Sequence, residues 1–560
     1  MLRSLVMPKT TLQLLLLAFS ASTACARQLT VANVAALRSA LSDASVTSIV
    51  LASGSYTLSE QLTISRSLSI EAATPGMAVL DAQSLSRVIN LSLLTSDVVR
   101  MTGLRVTGGL LSGQNGAGIR ISGGRVILDA MHVYGNEARN VQGGTYDIYA
   151  GGIYVLSAHV TLTNSAIYSN KGYWRAGGVY VQGSTSQVDI QGCDIYFNEL
   201  THSNGGGGGV VVAGGEVTLS ETIVRQNKAE WGGGTYVSGG RLVLNSCQFH
   251  GNIDDGYGGG AALYATGSST RVQIVNSNMY GNSVMQRGGA MFLDGGSTIT
   301  INNTDVHSNT AEFGAGVFIR SARTSVTVAS SNFYLNTASV GAGRGGGWNI
   351  DTGTVHFHGC NISSNVATRG AGVYVNSGTA SFEACEIANN QVSDAGSPFY
   401  VNSEGSVTVL CSAISGVASG AISETACPPS PPLAPAPPPA PAPPPAPASG
   451  LLRLLGETPT IEFGEDSSGA SVCELMLDRQ QRRLTSSCEL TTSSSTPRRS
   501  LAAASELVTK VEHDVLKADH EKLKEEHRTL KSEVSYLRRA LMELMAAGNA
   551  KKQVQTSPAE

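Results

Sequence analysis

The sequence predicts an all-β chain built on a right-handed parallel β-helix of about eleven coils, and three observations predict it. Glycine-led units recur every 25 to 34 residues between roughly residues 50 and 425, opening GAGIRI, GGIYV, GGVYV, GGVVV, GGTYV, AALYA, GAMFL, GVFIR, GGWNI, GVYVN and PFYVN. Each opening is followed by a second short alternating run, such as RVILDAMHV or HVTLTNSAI, with no helical stretch between. The first ten units then reach an asparagine: Asn136, Asn170, Asn198, Asn227, Asn252, Asn282, Asn309, Asn336, Asn365 and Asn390. A unit of this length is too short for a four-stranded propeller blade and holds two or three strands of a solenoid coil. Stacked coils put equivalent residues in columns about 4.8 Å apart. A column of side-chain amides, each both donor and acceptor, can satisfy itself while buried.

Residues 1–26 have the anatomy of a signal peptide. Arg3 and Lys9 give the positive start, Leu12 to Ala24 the short apolar run, and Ala24-Cys25-Ala26 the small-x-small cleavage site. A secreted protein follows, with no transmembrane segment and a location at the cell surface or wall. Sequons at Asn90, Asn302 and Asn361 are candidate glycosylation sites. Net charge is −4 with 14% charged residues, which gives no bulk attraction for nucleic acid. Residues 27–48 read as a capping helix and 49–427 as the β-helix. Residues 428–450 form a proline-rich linker of polyproline II character, and 451–500 a low-complexity segment. Residues 501–547 carry Leu516, Leu523, Leu530, Leu537 and Leu544 at heptad spacing, a coiled-coil seam that predicts a homo-oligomer. His513, His520 and His527 on the other seam position make that oligomer a candidate for dissociation at acid pH. The plainer reading is that they weaken the seam or set the oligomer number. Residues 548–560 are a disordered tail.

The GGA-hydrophobic openings and the endings Tyr134-Gly-Asn136, Ile167-Tyr-Ser-Asn170 and Phe333-Tyr-Leu-Asn336 resemble the GGAI and FxxN repeats of polymorphic outer-membrane proteins. They also resemble the wider pectin-lyase-like superfamily, whose opening, a capping helix and a strand ending G-x-Y, is similar to NVAALRSALSDASVTSIVLASGSYTLSEQLTISRSLSIEA. The resemblance implies the fold over about 400 residues and leaves function open. The linker resembles proline-rich stretches of algal and plant wall glycoproteins.

In the opening strand of each coil, pairs such as Ile153/Val155 and Val317/Ile319 line the core, so the residue between them points out. That column includes Tyr154, Tyr180, Tyr236, Tyr264, Phe292, Phe318, Tyr374 and Tyr400. The preceding turn adds Arg175, Trp231, Tyr257, Arg287, Phe313, Arg344 and Arg369. Rings suit sugar faces and arginines suit carboxylates or sulfates, so the columns form a candidate face for polysaccharide or a partner protein. The plainer reading is a side-chain ladder that stabilises a parallel sheet, with arginines packed on rings.

Polysaccharide lyase or glycoside hydrolase chemistry on this fold is the alternative, and calcium enters only with it; no other cofactor and no metal site is expected. Its weak candidates are Asp254, Asp255 and Asp305; Asp294 and Asp351, about two coils apart, are wide for a hydrolytic pair. Five cysteines, Cys193, Cys247, Cys360, Cys385 and Cys411, fall at one coil position. Cys360, Cys385 and Cys411 come in consecutive coils at bridging distance, Cys411 with Cys427 could close the C-terminal edge, and Cys473 with Cys488 a small loop.

Overall fold

The chain adopts a right-handed parallel β-solenoid in a computed structural model that describes residues 27–425, short turn segments excepted, and two strands at 473–478 and 483–488. The signal peptide, the linker and the coiled coil lie outside the described residues. Each coil carries an opening strand, a longer middle strand and a closing strand, and each stacks in parallel on the equivalent strand of the next coil. The middle strands form a 16-stranded sheet, and the opening and closing strands a 14-stranded sheet each. The solenoid is therefore longer than the eleven expected coils. The additional coils precede Ile119 and lack both the glycine opening and the asparagine, so the repeat signature passes over them.

The N-terminal cap also differs from expectation. Arg27–Val31 is a strand paired with Val46–Leu51, and the helix is confined to Val34–Ser42. Asn33 caps it, its Oδ1 accepting the Ala36 N–H at 2.9 Å, the usual means of satisfying a first-turn donor. Leu37 and Ala40 face the solenoid end.

Inside, alternate residues of all three strands make one continuous apolar core from Val31 to Val409. At the turn after the closing strand stand the ten asparagines, all buried. Asn170 shows the pattern: its backbone N–H and its Nδ2 both donate to Asn198 Oδ1, at 3.1 and 3.0 Å, and Nδ2 also reaches the Val133 carbonyl. The chain of amides runs unbroken from Asn136 to Asn390 with Nδ2···Oδ1 distances of 2.9 to 3.1 Å. It also explains the glycine openings. A Cβ on Gly152 would lie 2.5 Å from the Gly178 carbonyl oxygen and 3.1 Å from Asn170 Nδ2, so glycine relieves a close approach in most coils, while Ala262 and Ala290 hold the same position in two others.

A second buried column precedes the closing strand. Met131 N–H donates to Ser165 Oγ, Ser165 N–H to Cys193 Sγ, and Cys193 N–H to Thr222 Oγ1, and the same link recurs from Cys360 N–H to Cys385 Sγ and from Cys385 N–H to Ser412 Oγ. Here the cysteines act as small acceptors interchangeable with serine and threonine. Cys360 and Cys385, an adjacent pair that could be oxidised, are free thiols. At the next coil the count slips by one residue. Ser412, not Cys411, occupies the column, while Cys411 sits beside it at a positive φ of 50° and is disulfide-bonded. Cys427 lies outside the described residues. In the separate C-terminal unit, Cys473–Asp478 and Arg483–Cys488 pair antiparallel with Cys473 opposite Cys488.

Replacing Asn227 with alanine removes the acceptor of two Asn198 donors in a buried column. The expected cost is about 3 kcal/mol or more, because each buried donor left unpaired costs roughly 1–3 kcal/mol. Urea unfolding of the variant measures it; a loss under about 0.5 kcal/mol, typical of a surface change, contradicts the amide account. Burial also pushes the Cys193 and Cys247 thiols up to about 11 and the Tyr264 phenol up to about 12. Folded values above the unfolded ones give stability that is complete below the unfolded values and is lost as pH rises through the folded ones. The urea midpoint is therefore expected to hold to about pH 8.5 and to fall above it, as groups of ordinary pKa near 8.5 and 10 titrate in the unfolded chain; a midpoint constant to pH 12 contradicts this.

Candidate functional site

The opening-strand column forms in the expected register, Tyr154 on Tyr180 and Tyr264 between Tyr236 and Phe292. It is not an exposed face. Tyr154, Tyr180, Tyr236, Tyr264, Phe292, Phe318 and Tyr374 are all buried, and only Tyr400, near the C-terminal end, is partly open. The turn that precedes each opening strand folds back over the rings. Its own rungs run Tyr149, Arg175, Gly206, Trp231, Gly259, Arg287, Phe313, Arg344, Arg369 in parallel bridges. Tyr257 is not among them: it projects from the bulged strand Ile253–Gly259, and Gly259 holds the rung. Arg175 covers Tyr236 at 4.0 Å, Arg344 covers Tyr374 at 5.4 Å, Arg287 approaches Phe318 at 5.9 Å, and Trp231 leans on Tyr264 at 5.0 Å. Rings and lid make a second apolar core outside the main one. The aromatic enrichment is thus explained by packing, and this edge presents half-buried Tyr149, Trp231 and Phe313 together with the guanidinium groups of Arg175, Arg287, Arg344 and exposed Arg369.

A different ring column is open. The third residue of successive closing strands reads Tyr134, Tyr168, Tyr196, Arg225, His250, Tyr280, His307, Tyr334, in register throughout and each half-buried. Tyr134, Tyr168 and Tyr196 stack at 5.0 and 4.9 Å between centroids, within 6° of parallel. His250, Tyr280, His307 and Tyr334 continue at 4.9, 5.2 and 4.6 Å. Arg225 bridges the two runs, lying 4.2 Å over Tyr196 and held by Asp194 Oδ1 and Oδ2 at 3.1 and 2.8 Å. Because the rings cover one another's faces, no sugar fits between them. The ladder instead presents phenol hydroxyls and imidazole nitrogens at its edge, one per rung over roughly 34 Å. Burial lowers the pKa of His250 and His307 and raises those of Tyr168, Tyr196 and Tyr334, so these two imidazoles and three phenols are neutral near pH 7. Phe197, half exposed and edge-on to Tyr196, adds one free ring face beside the ladder.

The ladder was readable in the sequence. Its residues stand two before each ladder asparagine, so the signal lay inside the endings that carry the family resemblance, at the second of two outward positions on a three-residue strand.

The carboxylates do not converge. Asp254 is buried in the bulged strand with Oδ1 accepting the Gly256 N–H at 2.8 Å. Asp305 lies in a closing strand two coils on, where it accepts from Asn332 Nδ2 at 2.7 Å. The Asp255 side chain lies outside the described residues. Asp294 is paired with Arg320 and Asp351 accepts from Asn376, so Arg320 stands on the coil between these two acids. Among the described residues no group of three or more His, Cys, Asp or Glu side chains could hold a metal. Of the sequons, Asn302 is exposed, Asn361 half-buried, and Asn90 accepts from Arg120.

A family model described as a right handed beta helix region matches residues 88–256, 151–333 and 261–427. The chain belongs to that family. Among solved structures the β-helix is similar to the catalytic domain of a GH87 alpha-1,3-glucanase in complex with nigerose, at 15% identity and TM-score 0.38 over 68% of each chain. It is also similar to the A-module of the mannuronan C-5 epimerase AlgE6 of Azotobacter vinelandii, at 13% identity and TM-score 0.29 over 71% of this chain and 94% of that one. A third likeness is to PfbA, a surface adhesin of Streptococcus pneumoniae, at 12% identity and TM-score 0.29 over 67% and 88%. No curated relative matches. At these identities the likeness is one of fold.

Proposed function

We propose that this β-helix is a secreted, surface- or wall-associated protein that binds an extended polysaccharide along its closing-strand face. The supporting observation is the half-exposed edge of the Tyr134–Tyr334 ladder. A polymer lying parallel to the solenoid axis meets a hydrogen-bonding group at every rung, a phenol or an imidazole on all but the Arg225 rung. A rigid sheet holds these groups in place before binding, so little ordering entropy is spent at the moment of contact. Each contact is weak, and selectivity comes from their number. Residues 501–547 then multiply the effect: an oligomer through the heptad leucines brings several faces to one wall surface, and avidity exceeds single-site affinity.

Asn302, exposed on a middle strand, is where a glycan would fit without touching the ladder. No helix among the described residues is long and apolar enough to cross a membrane, so attachment at the surface is assigned to the ladder and the proline-rich linker.

Changing Tyr168, Tyr196 and Tyr280 together to phenylalanine keeps the ring stack and removes three hydroxyls. At about 0.5–1.5 kcal/mol per hydrogen bond, affinity for soluble wall polysaccharide, read on a glycan array and by calorimetry, is expected to fall tenfold or more with the melting temperature kept. Unchanged affinity removes the ladder from the binding account. For the coiled coil, sedimentation of the full chain is expected to show an oligomer at pH 8 that loosens at pH 5 as the seam histidines charge; the same species at both pH values contradicts the switch.

A further inference from the structure

Some arginines of the solenoid are paired with acids and others are not. Arg27, Arg38, Arg225, Arg241 and Arg320 each face a carboxylate, of Asp43, Glu60, Asp194, Glu216 and Asp294 respectively. Arg287, Arg344 and Arg369 form no ion pair among the described residues, and all three stand on the lid edge. The rung order there is Arg287, Phe313, Arg344, Arg369, so Arg344 and Arg369 are one coil apart, about 5 Å along the axis, and Arg287 about 10 Å from Arg344. Like charges on adjacent rungs repel, and the one acid on this stretch, Glu312, pairs with neither.

Two further observations centre on Arg344. Its Nε is buried with no hydrogen-bond partner. The same rung carries a break in the outer ring column, where Asn349 stands between Phe318 and Tyr374, as Val211 does between Tyr180 and Tyr236. Asn349 is 3% exposed, its Oδ1 has no partner, and its Nδ2 donates to the Arg344 carbonyl at 3.4 Å. The Arg344 guanidinium lies over the Tyr374 ring at 5.4 Å, and arginine takes an oxyanion through two parallel hydrogen bonds from its edge.

We propose that the lid edge from Arg287 to Arg369 is an anion-binding track, with Arg344 and Arg369 at its centre, for a polysaccharide that carries carboxylates or sulfate esters. The proposal rests on the polysaccharide-binding reading above and gives it a second contact line with its own ligand charge. The ladder addresses hydroxyls along the closing strands, and the track addresses acid groups beside the opening strands. A chain bearing acid groups at one- or two-rung spacing bridges two or three guanidiniums at once. Binding by the track therefore weakens as salt screens the exposed charges, which binding by the ladder does not require.

The test uses full-length protein with polygalacturonate, dextran sulfate, uncharged dextran and duplex DNA as probes, titrated by calorimetry at low and physiological salt. The wild type is expected to bind at least one of the two polysaccharide polyanions with a salt-dependent Kd. Polygalacturonate alone identifies a carboxylate ligand, and dextran sulfate alone a sulfate ester. R344Q/R369Q is expected to weaken that binding tenfold or more while keeping its melting temperature, and R125Q, an exposed arginine on a middle strand, to stay within twofold of wild type. Failure of either polyanion to bind, equal losses in R344Q/R369Q and R125Q, or duplex DNA binding as tightly as the polysaccharide overturns the proposal. Loss in the ladder phenylalanine variant but not in R344Q/R369Q also overturns the track while leaving the ladder reading in place. Loss in R344Q/R369Q alone supports the track and locates the acidic contact away from the ladder.

Discussion

The buried amide ladder is the constraint on which the rest of the structure depends. A stack of parallel coils has no inherent register, and a slip of one residue moves every side chain to the other face. Each asparagine from Asn170 to Asn365 accepts two hydrogen bonds from the asparagine of the coil before it and donates two to that of the coil after it, all buried. A slipped coil would leave several buried polar groups unpaired at once, and the low dielectric makes such orphans costly. Register is therefore set once per coil at a single turn. In most coils the opening glycine serves the same contact, since Gly152 and Gly178 clear the space beside the amide; Ala262 and Ala290 take its place in two coils.

With register fixed, the columns sort by environment. The inner faces of all three strands are apolar and form the core. The turn column before the closing strand takes a small acceptor, whether hydroxyl or thiol. The outer face of the opening strands would expose large rings, and the returning turn covers them, so that rings and arginines pack as a second core. On the closing strands no such lid exists, and the rings there lie against each other with their edges in solvent. The two aromatic columns share a spacing and differ in what covers them. That difference decides which of them can meet a ligand.

The fold was legible in the sequence because repetition averages over local noise: glycines, alternating strands and asparagines all return with one period. What the repeat does not encode is what lies over a strand. The outward direction of Tyr154 and Tyr264 follows from alternation, but their burial depends on a turn that folds back across them, and Arg175 and Trp231 show that only through their contacts. Tyr257 was misassigned because a bulge in Ile253–Gly259 shifts the count by two residues, and Cys411 because the last coil shifts it by one. The coils before Ile119 stayed hidden since they pack without the amide. The ladder from Tyr134 to Tyr334 was present in the same aligned repeats, two residues before each asparagine, and its significance became clear only when the competing column proved covered.

Surface footprinting separates the two columns most directly. Hydroxyl-radical labelling of the full chain, with and without soluble wall polysaccharide, reads solvent access ring by ring. The account predicts that Tyr134, Tyr168, Tyr196, Tyr280 and Tyr334 are labelled in the free protein and protected on binding, while Tyr154, Tyr180 and Tyr264 are weakly labelled in both states. Protection confined to the opening-strand column, or no change along the closing strands with ligand bound, would contradict it.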